Sequence, residues 1–125
     1  MIRFTNYKTR YPSPTVARLY KGTPEPHLIR MNAFLLSIFE QDSEFINLIL
    51  LDIVDYGTES SVLLLRKVQF LVDHGANIYY RREWQYGSTF DNGSRIPLIA
   101  EYFNELRMSA NKIRDLKIEA KLNAL

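Results

Sequence analysis

Apolar residues recur at helical spacing along three consecutive segments of the chain. The first segment spans residues 23–40 and opens on Thr23, with proline and glutamate next, a typical helix start. The second, residues 43–57, is apolar almost all round, so we expect it to be the central helix. The third, residues 58–74, stops at Gly75. Because the connections are short, the pattern predicts antiparallel neighbours.

The remaining segments are less regular. Residues 76–95 contain aromatic residues that favour extended structure and glycines that favour turns, which predicts a finger, either a long loop or a hairpin. Pro97 opens a fourth predicted helix and Asn111 caps a fifth. The apolar set of that fifth helix consists of Ile113, Leu116, Ile118, Ala120 and Leu122. We therefore predict an all-α fold of about five helices.

Composition places these segments in one domain. A chain of 125 residues, 46% of them hydrophobic, suffices for one core, which we assign to residues 23–125. The absence of cysteine excludes disulfides and thiolate sites and favours a reducing compartment. No apolar run approaches the roughly 20 residues of a membrane span, and the first residues do not form a signal peptide. We expect a cytoplasmic protein without membrane contact.

Charge is unevenly distributed along the chain. Residues 1–22 carry five basic residues and no acid, whereas residues 23–75 carry eight acids against three bases. Only charges within about 8 Å of one another act together at physiological ionic strength, so this local asymmetry matters more than the net charge. We expect residues 1–22 to form a basic N-terminal arm beside an acidic helical face.

One stretch resembles a known family. Residues 67–78, which read KVQFLVDHGANI, resemble the outer helix and exit turn of an ankyrin repeat. The resemblance implies a left-handed Gly75, an inner helix near residues 48–57 and a further repeat opening near residues 96–100. It implies a divergent stack of two to two and a half repeats, the family period being about 33 residues, with protein binding as its function. The alternative is an unrelated bundle of five helices.

Candidate chemistry is sparse. His27 and His74 lie in different segments and lack the spacing of a metal site. We expect His74, which precedes the glycine that ends a helix, to interact with carbonyls at that helix terminus. We find no catalytic constellation in the sequence, and we predict no enzymatic activity, no cofactor and no metal.

Signals for binding are stronger. The finger concentrates tryptophan, tyrosine and arginine, the residue types that dominate interface hot spots, and the arm adds further cations. The predicted partner-binding residues are Tyr80, Arg81, Arg82, Trp84, Tyr86, Arg3 and Arg10. We expect a protein partner with an acidic surface, bound by surface occlusion, as in an inhibitor, immunity or anti-defence protein of a microbe or virus. The alternative is nucleic-acid binding through the basic and aromatic residues of arm and finger.

Overall fold

A computed structural model describes residues 13–55, 61–83 and 87–124. The fold is all-α: helices make up 78% of the described residues, and none of these residues forms a strand. The helices are α1 (Ser13–Lys21), a 3-10 helix (Glu25–His27), α2 (Leu28–Gln41), α3 (Phe45–Asp55), α4 (Val62–Asp73), α5 (Thr89–Gly93) and α6 (Pro97–Asn123).

Helix α3 is the centre of the fold, as its sequence predicts. Eight of its residues are buried, and α1, α2, α4 and α5 all pack against it. A helix that is apolar on every side must be surrounded, because any exposed face would leave apolar surface in water. The charge pattern predicts an acidic helical face. Asp52 does not belong to such a face, because it is the one charged residue among the eight buried ones.

Part of the predicted arm belongs to the core. Residues 13–21 form α1, and Val16, Ala17 and Tyr20 are buried against the rest of the domain. The Tyr20 hydroxyl donates a hydrogen bond of 2.8 Å to the Asn32 side chain on α2. These three residues share one face of a helix, and Pro14 lies in its first turn, where proline is tolerated. The arm prediction for residues 1–12 lies outside the described residues.

The start of the first predicted helix differs from the sequence interpretation. The 3-10 turn precedes the α-helix, which begins at Leu28 rather than directly after Thr23. The hydroxyl of Thr23 donates to the Leu19 carbonyl at 2.8 Å and so closes α1 instead of capping α2. Threonine hydroxyls bond to a carbonyl four residues back as readily as they cap, and the sequence does not separate the two roles.

The end of α4 confirms two predictions: Gly75 ends the helix, and His74 interacts with a carbonyl at its terminus. Ser61 caps the start by accepting the Leu64 N–H at 3.1 Å, and Gly75 has a φ of 103°. The N–H of Ala76 bonds to the Leu71 carbonyl and that of Gly75 to the Val72 carbonyl, both at 3.0 Å, which is the Schellman arrangement. His74 Nδ1 lies 2.9 Å from the Phe70 carbonyl oxygen. This segment therefore ends a packed helix and is structural.

The described residues of the predicted finger do not form a hairpin. Residues 76–83 run through turns, and residues 89–93 form the short helix α5. Ser88 and Asp91 make a capping box, in which each side chain accepts the backbone N–H of the other. Thr89 is buried, and its N–H and hydroxyl both donate to the Tyr80 carbonyl, at 2.9 and 3.0 Å. Capping at Ser88 thus overrides the β-propensity of the aromatic residues nearby.

The last two predicted helices are one continuous helix. Helix α6 runs for 27 residues, and Asn111 lies inside it instead of capping a new helix. No glycine or proline follows Pro97 before the helix ends, and an internal asparagine lowers helix stability by less than about 1 kcal/mol. The helix begins in the core, where Ile99 and Phe103 are fully buried, whereas every residue from 107 to 124 is exposed.

Candidate protein-binding surface

Arg82, one of the predicted contact residues, is held inside the fold. Its Nη1 lies 2.7 Å from Asp52 Oδ1, and its Nη2 donates to Asp52 Oδ2 at 2.9 Å. The side chains of Arg82 and Asp52 are 13% and 2% exposed, so this bidentate pair is largely shielded from water. This ion pair fixes the residues after Gly75 onto α3. The guanidinium of Arg82 therefore satisfies a buried carboxylate instead of facing solvent.

Tyr80 has a similar anchoring position. It is half-buried, and its hydroxyl donates to Glu44 Oε1 at 3.2 Å. Burial raises the pKa of the Tyr80 hydroxyl, and the nearby Glu44 carboxylate raises that pKa further. Because its carbonyl also accepts both hydrogen bonds from Thr89, Tyr80 links the turn region to α5 and to the loop before α3.

The other predicted contact residues divide into two groups. Arg81 is exposed, so of the predicted residues that the structure describes it is the one open to a partner. Trp84 and Tyr86, together with Arg3 and Arg10, lie outside the described residues. The partner-binding role of all of them stays a prediction.

An aromatic cluster lies where the turn region meets α6. Tyr79 is 53% exposed and stacks on Phe90 with ring centroids 5.5 Å apart, and Phe90 stacks on Phe103 at 5.9 Å. The guanidinium carbon of Arg107 lies 5.5 Å from the centroid of the Phe90 ring. We call Tyr79, Phe90 and Arg107 the aromatic junction. It joins the exposed part of the turn region to Arg107, where the unbroken run of exposed residues on α6 begins.

The apolar set that the sequence assigns to a fifth helix lies at the end of α6 and is not buried. We call residues 107–124 the α6 tail. Its large apolar side chains are all 50–66% exposed: Met108, Ile113, Leu116, Ile118 and Leu122. Their spacing is the available signal, because Ile113 and Leu116 continue the face of Leu106, whereas Ile118 and Leu122 lie on another side. A core-facing helix shows one apolar stripe, and this segment has two.

The α6 tail is also basic. It contains five cationic residues, Arg107, Lys112, Arg114, Lys117 and Lys121, against the two acids Asp115 and Glu119, which gives a local net charge of +3. All seven side chains are exposed. The tail therefore combines two apolar faces with a positive field that attracts acidic partners.

Neither a metal-binding cluster nor a membrane-spanning helix is evident in the described part of the chain. Residues 13–55, 61–83 and 87–124 contain no group of three or more His, Asp or Glu side chains that could hold a metal ion. Over the same ranges, no helix has both the length and the apolar character needed to cross a bilayer.

No protein-family model, curated protein or solved structure matches this chain. The described residues define the class: an all-α domain organised around one buried helix, with a long final helix that leaves the core.

Proposed function

We propose that this protein is a non-enzymatic protein-binding module and that the α6 tail, with the aromatic junction at its base, is the binding element. The observation that carries the proposal is the exposure, by half or more, of five large apolar side chains on one continuous helix. Single exposed apolar residues are normal on protein surfaces, but clustered ones mark interaction sites.

The energetics favour burial of this surface in a complex. Fully burying one Leu, Ile or Met side chain contributes about 1.5–3 kcal/mol of transfer free energy. The large apolar side chains of the tail are 50–66% exposed, so burying the rest of three or four of them contributes about half of that value each and offsets part of the entropic cost of association. Since the tail carries apolar residues on two sides, the geometry favours a partner with a groove that encloses the helix over a flat surface.

The charge of the tail indicates the chemistry of the partner. Its net charge of +3 suits an apolar groove bordered by carboxylates. Exposed Arg81 and the partly exposed Tyr79 lie in the turn region that meets the base of the tail, and both are residue types enriched at interfaces. The resemblance of residues 67–78 to an ankyrin repeat supports a protein partner too. By occupying such a groove, this protein would block the surface of its partner, as an inhibitor or immunity protein does.

Affinity capture with two matched triple variants tests the proposal. Replacing Ile113, Leu116 and Leu122 with glutamine removes apolar surface while keeping a good helix former. The control places glutamine at three exposed polar positions of the same helix: Ser109, Asn111 and Asn123. We expect quantitative mass spectrometry to find a partner that wild type and control capture and the apolar triple loses, with equal helical circular dichroism.

Two results would contradict this proposal. Equal capture by both triple variants would show that the apolar side chains of the tail do not bind. If the protein captures nucleic acid instead, and releases it steeply as the salt concentration rises, the alternative function of nucleic-acid binding is favoured.

A further inference from the structure

Lys67 is a buried ammonium without a counter-ion in the described part of the chain. The residue is 2% exposed and lies on the inward face of α4 beside Leu64, Val68 and Leu71. Its Nζ donates to the Lys21 carbonyl at 2.7 Å and lies 5.8 Å from the centroid of the Tyr20 ring. An ammonium has three N–H donors, and this carbonyl is its one hydrogen-bond acceptor among the described residues.

A recess adjoins Lys67 at the start of α4. It has a volume of about 120 Å³ and is lined by Lys21, Ser61, Leu63, Leu64 and Lys67. The cap at Ser61 uses the N–H of Leu64, so the N–H groups of Val62 and Leu63, in the first turn, are left without intrahelical partners. The recess thus brings the Lys67 side chain beside the positive end of a helix of 12 residues.

We propose that this recess binds a small tetrahedral oxyanion, such as phosphate or sulfate, between the ammonium group of Lys67 and the first N–H groups of α4. Burying an ammonium without an anion is unfavourable, and one carbonyl and one ring face offset only part of that desolvation. Burial also lowers the pKa of Lys67, which agrees with an incomplete set of partners. An oxyanion would supply the missing charge and accept from several donors at once.

The competing interpretation is that Lys67 only caps the last turn of α1. The Lys21 carbonyl belongs to the final residue of that helix, where cations stabilise the negative end of the dipole. A cap of this kind is complete without an anion. The two interpretations therefore differ in whether the protein binds phosphate at the recess.

A titration with inorganic phosphate, followed by 15N NMR, distinguishes the anion site from the helix cap. Chloride keeps the ionic strength constant during the titration. For the wild type we expect saturable shifts centred on the amides of Val62 and Leu63. Sulfate and glycerol phosphate serve as further probes: binding of sulfate supports a general oxyanion site, and binding of glycerol phosphate supports a site that also accepts phosphate monoesters. No saturable shift at these amides with any of the three anions would overturn the proposal.

Two variants of the cap keep the test independent of Lys67. Ser61→Asp and Ser61→Asn both retain a good N-cap, but the aspartate places a carboxylate at the recess. We expect Ser61→Asn to bind phosphate as the wild type does and Ser61→Asp to bind at least about tenfold more weakly, because its carboxylate competes with and repels the oxyanion. Equal affinity of the two variants would contradict the site.

Lys67→Met removes the buried cation at similar length, and Lys112→Met, on the exposed tail, is its charge-matched control. One charge-assisted hydrogen bond accounts for about tenfold in affinity, so Lys67→Met should weaken phosphate binding by that factor or more. The control should bind as the wild type does. Shifts that spread over the surface lysines and disappear equally in both variants would show non-specific attraction and overturn the proposal.

Discussion

The two parts of α6, residues 97–106 and 107–124, each contain five large apolar side chains but have opposite surroundings. In the first half, Ile99 and Phe103 are fully buried and Leu106 packs against the core. In the α6 tail, residues 107–124, every side chain is exposed, including five large apolar ones. The difference lies in spacing: the first half places its apolar residues on one face, and the tail divides them between two. One helix thus serves as a core element and as a free surface.

The largest effect should come from the buried half. Replacing Phe103 with alanine removes a fully buried ring that stacks on Phe90, and we expect the free energy of unfolding to fall by about 4 kcal/mol. Met108→Ala, five residues later on the exposed half, should change it by less than about 0.5 kcal/mol. Urea denaturation measures both. Similar losses in the two variants would mean that the tail is packed.

Two ion pairs extend the contrast between buried and exposed positions. Arg82→Met leaves the carboxylate of Asp52 buried without its partner, and we expect a loss of about 3 kcal/mol. Arg66→Met breaks the exposed pair with Glu25 and should lower stability by less than about 1 kcal/mol. Thermal unfolding of both variants checks the difference. A larger loss of stability for Arg66→Met than for Arg82→Met would show that burial does not strengthen the contribution of the Asp52 pair to stability.

Gly93 tests how closely α5 packs on the buried half of α6. A Cβ added there would lie 2.9 Å from Ile99 Cγ2 and closer still to the Phe103 ring. We expect Gly93→Ala to lower the free energy of unfolding by about 2 kcal/mol through overpacking. At Gly22 the nearest atom to an added Cβ is 3.5 Å away, so Gly22→Ala should be neutral. Equal midpoints in urea for these two variants would contradict the packing described.

The smallest effect on the core should come from unfolding the tail itself. Lys112→Pro breaks the helix at an exposed position, and none of residues 113–124 has a buried side chain. We expect the helical circular dichroism to fall while the cooperative unfolding of the core shifts by less than about 1 kcal/mol. Lys112→Ala, which keeps the helix, is the control. A large drop in core stability for the proline variant alone would show that the tail supports the domain.

The elements that the sequence predicts well are those fixed by local chemistry. Helix α3 is apolar on all sides, which requires a central position, and the Asp73–Asn77 region contains the glycine that ends α4. The prediction fails where non-local packing decides. Nothing local shows that Tyr20 belongs to the core or that Arg82 reaches Asp52, which is 30 residues away along the chain.

Some failures had a readable signal. Lys67 shares the inward face of α4 with Leu64, Val68 and Leu71. The helical spacing alone therefore indicates that this lysine is buried. Likewise, the absence of glycine and proline between Pro97 and the end of α6 favours one continuous helix over two. The two-sided apolar pattern of the tail is a further signal that this part of the helix does not pack against the core.

Hydrogen exchange of the free protein and of its complex with the captured partner tests the central claim most directly. We expect the amides of residues 107–123 to exchange fast in the free protein, because no packing protects them, and to become protected in the complex. The amides of α3 should be protected in both states. Unchanged exchange in the α6 tail, with new protection elsewhere on the domain, would contradict its assignment as the binding element.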